Sequence, residues 1–125
     1  MMELTINGQV YQFNFGMGFL REANKIKNEK SPDKNYGLRY IISGIIDGDP
    51  ETLVDALDIA NKGQEPRITK SVLDSYIDNP DTDIEALFEE TLDFLGKANA
   101  TKKLVKNMME AFAKLKDLNQ ELLSK

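Results

Sequence analysis

Cysteine, histidine and tryptophan are all absent from this chain. Without cysteine there is no disulfide framework and no thiolate nucleophile. With histidine missing as well, zinc sites, Ser-His triads and Cys-His pairs are excluded together. A metal would have only carboxylates and carbonyls to bind, the ligands of calcium or magnesium. Long apolar runs are missing too: the longest near-apolar stretch, residues 40–46, is far too short to span a bilayer. The N-terminus lacks the basic-then-apolar layout of a signal peptide. The expectation is a soluble protein that stays where it is made, with no cofactor, no metal and no membrane partner.

At 125 residues the chain has the length of one domain with a modest core. Its charge is unevenly placed. Residues 47–95 carry 3 Lys/Arg against 14 Asp/Glu, whereas residues 96–125 carry 7 against 3. So acidic a middle repels nucleic acid, and no nucleic-acid partner is expected. The basic end is suited to pair with that middle, within one molecule or between two, though each patch reads equally well as a solvated face.

Asn7-Gly8 between two short alternating segments is a hairpin signal, because both turn positions need positive φ. Pairing across it sets Ile6 opposite Gln9 and Leu4 opposite Tyr11. Leu4, Ile6, Tyr11, Phe13 and Phe15 then share one face, which must lie on helices because a lone hairpin is marginal. Gly16-Met17-Gly18 lacks the rest of a phosphate-loop signature and reads as a strand-to-helix turn. A helix follows over residues 17–29, with Phe19, Leu20, Ala23 and Ile26 inward. Residues 31–35 form a polar loop, the expected mobile or insertion-tolerant site. Residues 37–46 make a short buried helix through Leu38, Ile41, Ile42 and Ile45, stopped by Gly48. Asp49 caps the next helix with Pro50 at its first position, and that helix runs to about Asn61. Asp47, Asp49, Glu51 and Asp58 resemble a calcium loop, but Thr52 stands at its glycine position and Asp58 replaces the bidentate Glu, so capping explains them better. Thr69 caps a short helix through Val72, Leu73, Tyr76 and Ile77.

Residues 81–98 carry the best-written helix. Thr82 and Glu85 read as a capping box, and Ile84, Leu87, Phe88, Leu92 and Leu95 form one apolar stripe. This helix is expected to be the central packing element, with Glu85, Glu89 and Asp93 facing lysines of the last helix or of a neighbouring subunit. A break at Asn99-Ala100-Thr101 follows, with Thr101 as a new N-cap. From Lys102 onward, Leu104, Met108, Ala111, Leu115, Leu118 and Leu122 step by 4, 3, 4, 3 and 4, an a/d heptad stripe broadened by Val105 and Phe112. The stripe reads equally as a terminal helix closing its own core and as a partner-binding or self-association seam. Acidic residues lie at helix starts and on solvent faces, with no cleft chemistry, so no enzyme is expected.

Several strings carry a resemblance. Met2-Glu3-Leu4-Thr5-Ile6-Asn7-Gly8, Phe13-Asn14-Phe15-Gly16 and Gly18-Phe19-Leu20-Arg21-Glu22 are similar to tail assembly chaperones of long-tailed phages (siphoviruses) of Gram-positive bacteria. So are Gly37-Leu38, Ile46-Asp47-Gly48-Asp49 with Leu53, Thr82-Asp83-Ile84 with Phe88, and Ala98-Asn99-Ala100-Thr101-Lys102. The likeness extends to about Lys106 and fades over the last helix. It implies a protein of the host cell cytoplasm that coats the tape measure protein, helps recruit the tail tube protein and is absent from the mature virion. It also implies a longer product made by ribosomal frameshifting.

The fold expected is α+β and mainly helical, an N-terminal β-hairpin packed on five or six α-helices. Residues 1–99 would form that core and residues 100–125 an amphipathic helix, within the same domain or as an extended arm. Candidate partner contacts are Leu104, Met108, Phe112, Leu115, Leu118 and Leu122, with the hairpin edge second. Homo-oligomer formation is compatible with the stripe. A structural tail protein and a small regulatory protein binding a host factor through the last helix remain the alternatives.

Overall fold

Asn7 and Gly8 both take positive φ, 53° and 77°, the backbone a two-residue hairpin turn demands. The computed structural model of the protein describes residues 1–26 and 32–123. In it the turn joins β1 (Met2–Ile6) to β2 (Gln9–Phe13) as an antiparallel pair. Ile6 faces Gln9 and Leu4 faces Tyr11, as the turn length requires. Leu4, Ile6, Phe13 and Phe15 are buried, Tyr11 is half-buried, and Met2 joins the inward face.

Six helices hold this ribbon: α1 (Met17–Ala23), α2 (Tyr36–Asp47), α3 (Pro50–Asn61), α4 (Lys70–Asp78), α5 (Ile84–Lys97) and α6 (Lys102–Leu123). The α+β, mainly helical class and the hairpin-on-helices layout are as expected. The centre, however, is α3 rather than α5. Helix α3 buries Thr52, Leu53, Val54, Ala56, Leu57, Ile59, Ala60 and Asn61, and it touches β2, α1, α2 and α4. Helix α5 buries only Leu87, Thr91 and Leu95. A helix covered on nearly every side shows no strong apolar stripe, which is why its sequence looked less decisive than the amphipathic α5.

Asn61, fully buried at the end of α3, ties the centre together. Its amide nitrogen donates to the carbonyls of Gln12 (2.9 Å) and Pro66 (3.3 Å). Its amide oxygen accepts from the Ile68 backbone N–H (2.7 Å) and the Arg67 guanidinium (3.1 Å). The same guanidinium reaches back to the Asp58 carbonyl and carboxylate. Strand β2, the end of α3 and the approach to α4 are thus held by one side chain with all its polar capacity in use.

Helix α1 stops at Ala23, short of the expected end. Helix α2 begins directly against it: a Cβ on Gly37 would overlap the Ala23 carbonyl and lie 2.8 Å from the Asn24 Cα. Asn24 accepts from the Leu38 N–H at 2.9 Å, satisfying an orphan donor of the new helix, and donates to Asn35. Residues 27–29 of the expected helix and Ser31 of the expected loop lie outside the described residues. Asp33 accepts from the Asn35 N–H and from Arg39, and the Asn35 contact leads in holding its carboxyl below the usual range. Glu22 bridges Lys25 (2.7 Å) and Lys62 (3.1 Å), and hydrogen bonds from these two ammonium groups, Lys25 first, depress its carboxyl. Lys70 is raised chiefly by its hydrogen bond to Asp55 across the α3–α4 contact.

Of the other expected N-caps, Asp49 and Thr69 form, Thr82 does not, and the Thr101 hydroxyl donates to the Leu95 carbonyl. Asp49 accepts from Glu51 N–H and from the Thr52 hydroxyl, and Thr69 accepts from Val72 N–H. Asp58 pairs with Arg67, so of the residues in the calcium-like pattern Asp49 serves as a cap and Asp58 in an ion pair. The capping box at Thr82 and Glu85 does not form. Asp83 is the N-cap of α5, accepting from Ala86 N–H at 3.1 Å. The Thr82 hydroxyl instead donates to the Tyr76 carbonyl at 2.6 Å, satisfying an orphan acceptor at the end of α4. The tight α4–α5 connection decides between two competent caps.

Two outcomes test this account in urea or thermal melts. Asn61→Ala leaves several buried polar groups unpartnered and is expected to cost about 3 kcal/mol, a fall in Tm of about 10 °C. Asp83→Ala is expected to cost about 1 kcal/mol, while Glu85→Ala stays within about 0.5 kcal/mol; the reverse order would restore the capping box.

Candidate protein-binding surface

Helix α6 has 22 residues, a rod of about 33 Å. Its start is set by the junction expected at residues 99–101. Thr101 is fully buried, and its hydroxyl donates to the Leu95 carbonyl at the end of α5. The Lys102 N–H bonds back to the Ala98 carbonyl at 2.8 Å, so the chain reverses tightly into α6. Helix α6 then lies on α5 and, more lightly, on α2.

That support ends after two turns. Val105 is buried, and Leu104 and Met108 pack half-buried against the core. Phe112 is half-buried. Beyond it Leu115, Leu118 and Leu122 are 56%, 55% and 69% exposed. The six candidate residues therefore divide: Leu104 and Met108 lie against the domain, Phe112 stands at the transition, and Leu115, Leu118 and Leu122 form an uncovered row. Met109 and Leu123 are exposed as well, each one position past an a-type residue and off the line of that row. Leu123 was missed because it stands off the heptad spacing; its signal was only a second leucine next to Leu122.

Of the two pairings expected for the acids of α5, the one with the lysines of α6 within the same molecule is not made among the described residues. Asp93 pairs instead with Lys97 of its own helix at 2.8 Å. Lys102, Lys103 and Lys106 are exposed at the docked end, and Glu85, Glu89 and Glu90 are exposed on α5. The second candidate surface, the hairpin edge, is half closed. On β2 the Gln12 carbonyl accepts from Asn61, and the adjoining Asn14 N–H donates to the Ala60 carbonyl. The outer edge of β1 is the side left for strand addition.

Among the described residues no helix is long and apolar enough to cross a membrane, and no three acidic side chains gather as a metal site. The row offers exposed apolar area on a helix fixed at its base. If α6 changes role along its length, Val105→Ala should cost about 2 kcal/mol of stability and Leu118→Ala less than about 0.5 kcal/mol in urea melts. Equal costs would mean that the helix is core throughout.

The sequence matches the family described as phage tail assembly chaperone protein, TAC, over residues 3–110. No curated protein and no solved structure gives a significant match. The matched region takes in the hairpin, α1 to α5 and the docked part of α6, and it ends where α6 leaves the domain. The chain belongs to the phage tail assembly chaperone family.

Proposed function

We propose that this protein is a non-enzymatic chaperone that binds the tape measure protein and helps recruit tail tube protein subunits during tail morphogenesis. It acts in the host cell cytoplasm and is left out of the mature virion. The observation that carries this reading is the free half of α6, where Leu115, Leu118 and Leu122 stand in water on a helix anchored by Val105 and Thr101. A long helical client with its own apolar stripe is the kind of partner such a helix accepts, ridge against groove. Met108 and Met109 add side chains that adapt to varied surfaces. The acidic residues of the domain keep a coated client dispersed by like-charge repulsion.

Co-production with the tape measure protein of the same phage tests the reading. The intact chain is expected to hold the tape measure protein in the soluble fraction. Leu115→Asp, Leu118→Asp and Leu122→Asp combined should leave Tm within about 3 °C. The same variant should lower the soluble client about tenfold. A triple variant that solubilises as well as the parent removes α6 from the mechanism. Many copies of the chain in purified virions, detected by mass spectrometry, would replace the chaperone reading with a structural one.

A further inference from the structure

We infer that the free half of α6 forms an antiparallel two-stranded coiled coil with a second copy of this chain, closing the uncovered leucine row by two-fold symmetry. The inference starts from the spacing. Positions 104, 111 and 118 are d-type, and 108, 115 and 122 are a-type, so the seam beyond the domain consists of Ala111, Leu115, Leu118 and Leu122.

Three features select one register and one direction. First, volume: in a parallel pair Ala111 would face Ala111 and leave a hole, whereas the antiparallel pair sets Ala111 against the partner's Leu122 and Leu115 against the partner's Leu118. The two-fold axis then passes between residues 116 and 117, and two central Leu–Leu layers are flanked by one Ala–Leu layer at each end. Second, charge: Lys114 and Glu121 are both g-type residues, and g meets g in an antiparallel pair. The same register therefore sets Lys114 against the partner's Glu121, twice by symmetry. A parallel pair would put Lys114 against the partner's Asn119 and form no ion pair. Third, position: all four layers lie beyond Met108, the last stripe residue packed on the core, so the seam uses none of the helix that the domain already covers. The seam also lies beyond residue 110, where the family match ends.

Four layers make a short seam, and a dissociation constant on the order of 10 μM is expected. The dimer covers Leu115 and Leu118 until something binds them more tightly. That last step, release to a client, rests on the proposed function; the dimer itself does not.

The purified full chain, without client, tests the proposal. Sedimentation at about 100 μM should give mostly twice the 14.1 kDa chain mass; a monomer at that concentration overturns it. The chain lacks cysteine, so single replacements report geometry cleanly. Leu115→Cys and Leu118→Cys proteins should each fail to cross-link alone under mild oxidation, and should cross-link to each other when mixed. Disulfides formed by either variant alone would instead mean a parallel pair and overturn the register. Lys114→Glu should raise the dissociation constant about tenfold, and adding Glu121→Lys should restore it; a double variant as weak as the single one overturns the charge pairing. These sites are exposed, so circular dichroism should show an unchanged fold. A dimer that forms while the tape measure protein stays insoluble would separate the two readings.

Discussion

A buried side-chain amide holds this fold at its centre. Asn61 satisfies one carbonyl of β2, one carbonyl of the loop before α4, the N–H of Ile68 and part of the Arg67 guanidinium. A two-stranded sheet cannot hold its place by its own ladder, and its apolar face alone would let it slide over the helices. The Gln12–Asn61 and Asn14–Ala60 hydrogen bonds fix the register of β2 against α3. Because Asn61 lies in the last turn of α3, the same bonds fix where that helix ends and where the loop carrying Ile68 closes over it. Ile68 and Leu73 are then buried together at the start of α4.

Helix α2 is located against α3 and against the end of α1 by small residues. Gly44 of α2 sits where a Cβ would overlap the Thr52 side chain, so the two helices meet almost backbone to side chain. Thr52 is turned inward without a polar penalty because its hydroxyl donates to Asp49, the cap of its own helix. Gly37 allows a similar approach of α2 to the end of α1. Phe15 closes the top of this arrangement, edge-on to Phe19 at 5.0 Å and tilted to Phe94 at 6.5 Å. The hairpin, α1 and α5 thereby share one aromatic contact region.

Local rules carried most of this. The Asn-Gly turn fixes the strand register, Asp49-Pro50 and Thr69 mark helix starts, and the buried apolar positions of α2 follow from apolar spacing. What the sequence misjudged was decided by contacts distant in the chain. Residues 81–98 looked central because amphipathic patterns are conspicuous, while α3 looked ordinary because a helix wrapped on most sides needs apolar and small residues all round. Thr82 and Asp83 are both competent caps, and only the carbonyl of Tyr76 tells them apart. The stripe on α6 was legible from Leu104 to Leu122. The place where support stops was not, because it depends on where the surfaces of α5 and α2 end. Asn61 carried no signal at all, since nothing local distinguishes a buried asparagine hub from a helix-terminal asparagine.

Charge placement gives the split in α6 its physical sense. The acidic stretch over residues 47–95 makes the domain strongly anionic, and the exposed acids of α5 are not neutralised by α6. Two such domains side by side would repel at distances within a Debye length, about 8 Å at physiological ionic strength. The docked end of α6 wears a collar of Lys102, Lys103 and Lys106, whereas the part beyond it, residues 109–123, has 2 Lys against 3 Asp/Glu and is close to neutral. Repulsion between two acidic bodies is therefore weakest along that outer segment. A partner that meets the segment from the far end, with its own charge kept away from the acidic body, suffers least repulsion for the same buried area. In the proposed reading, leucines spaced for a seam on a near-neutral rod, set apart from a charged body, would separate adhesion from dispersal.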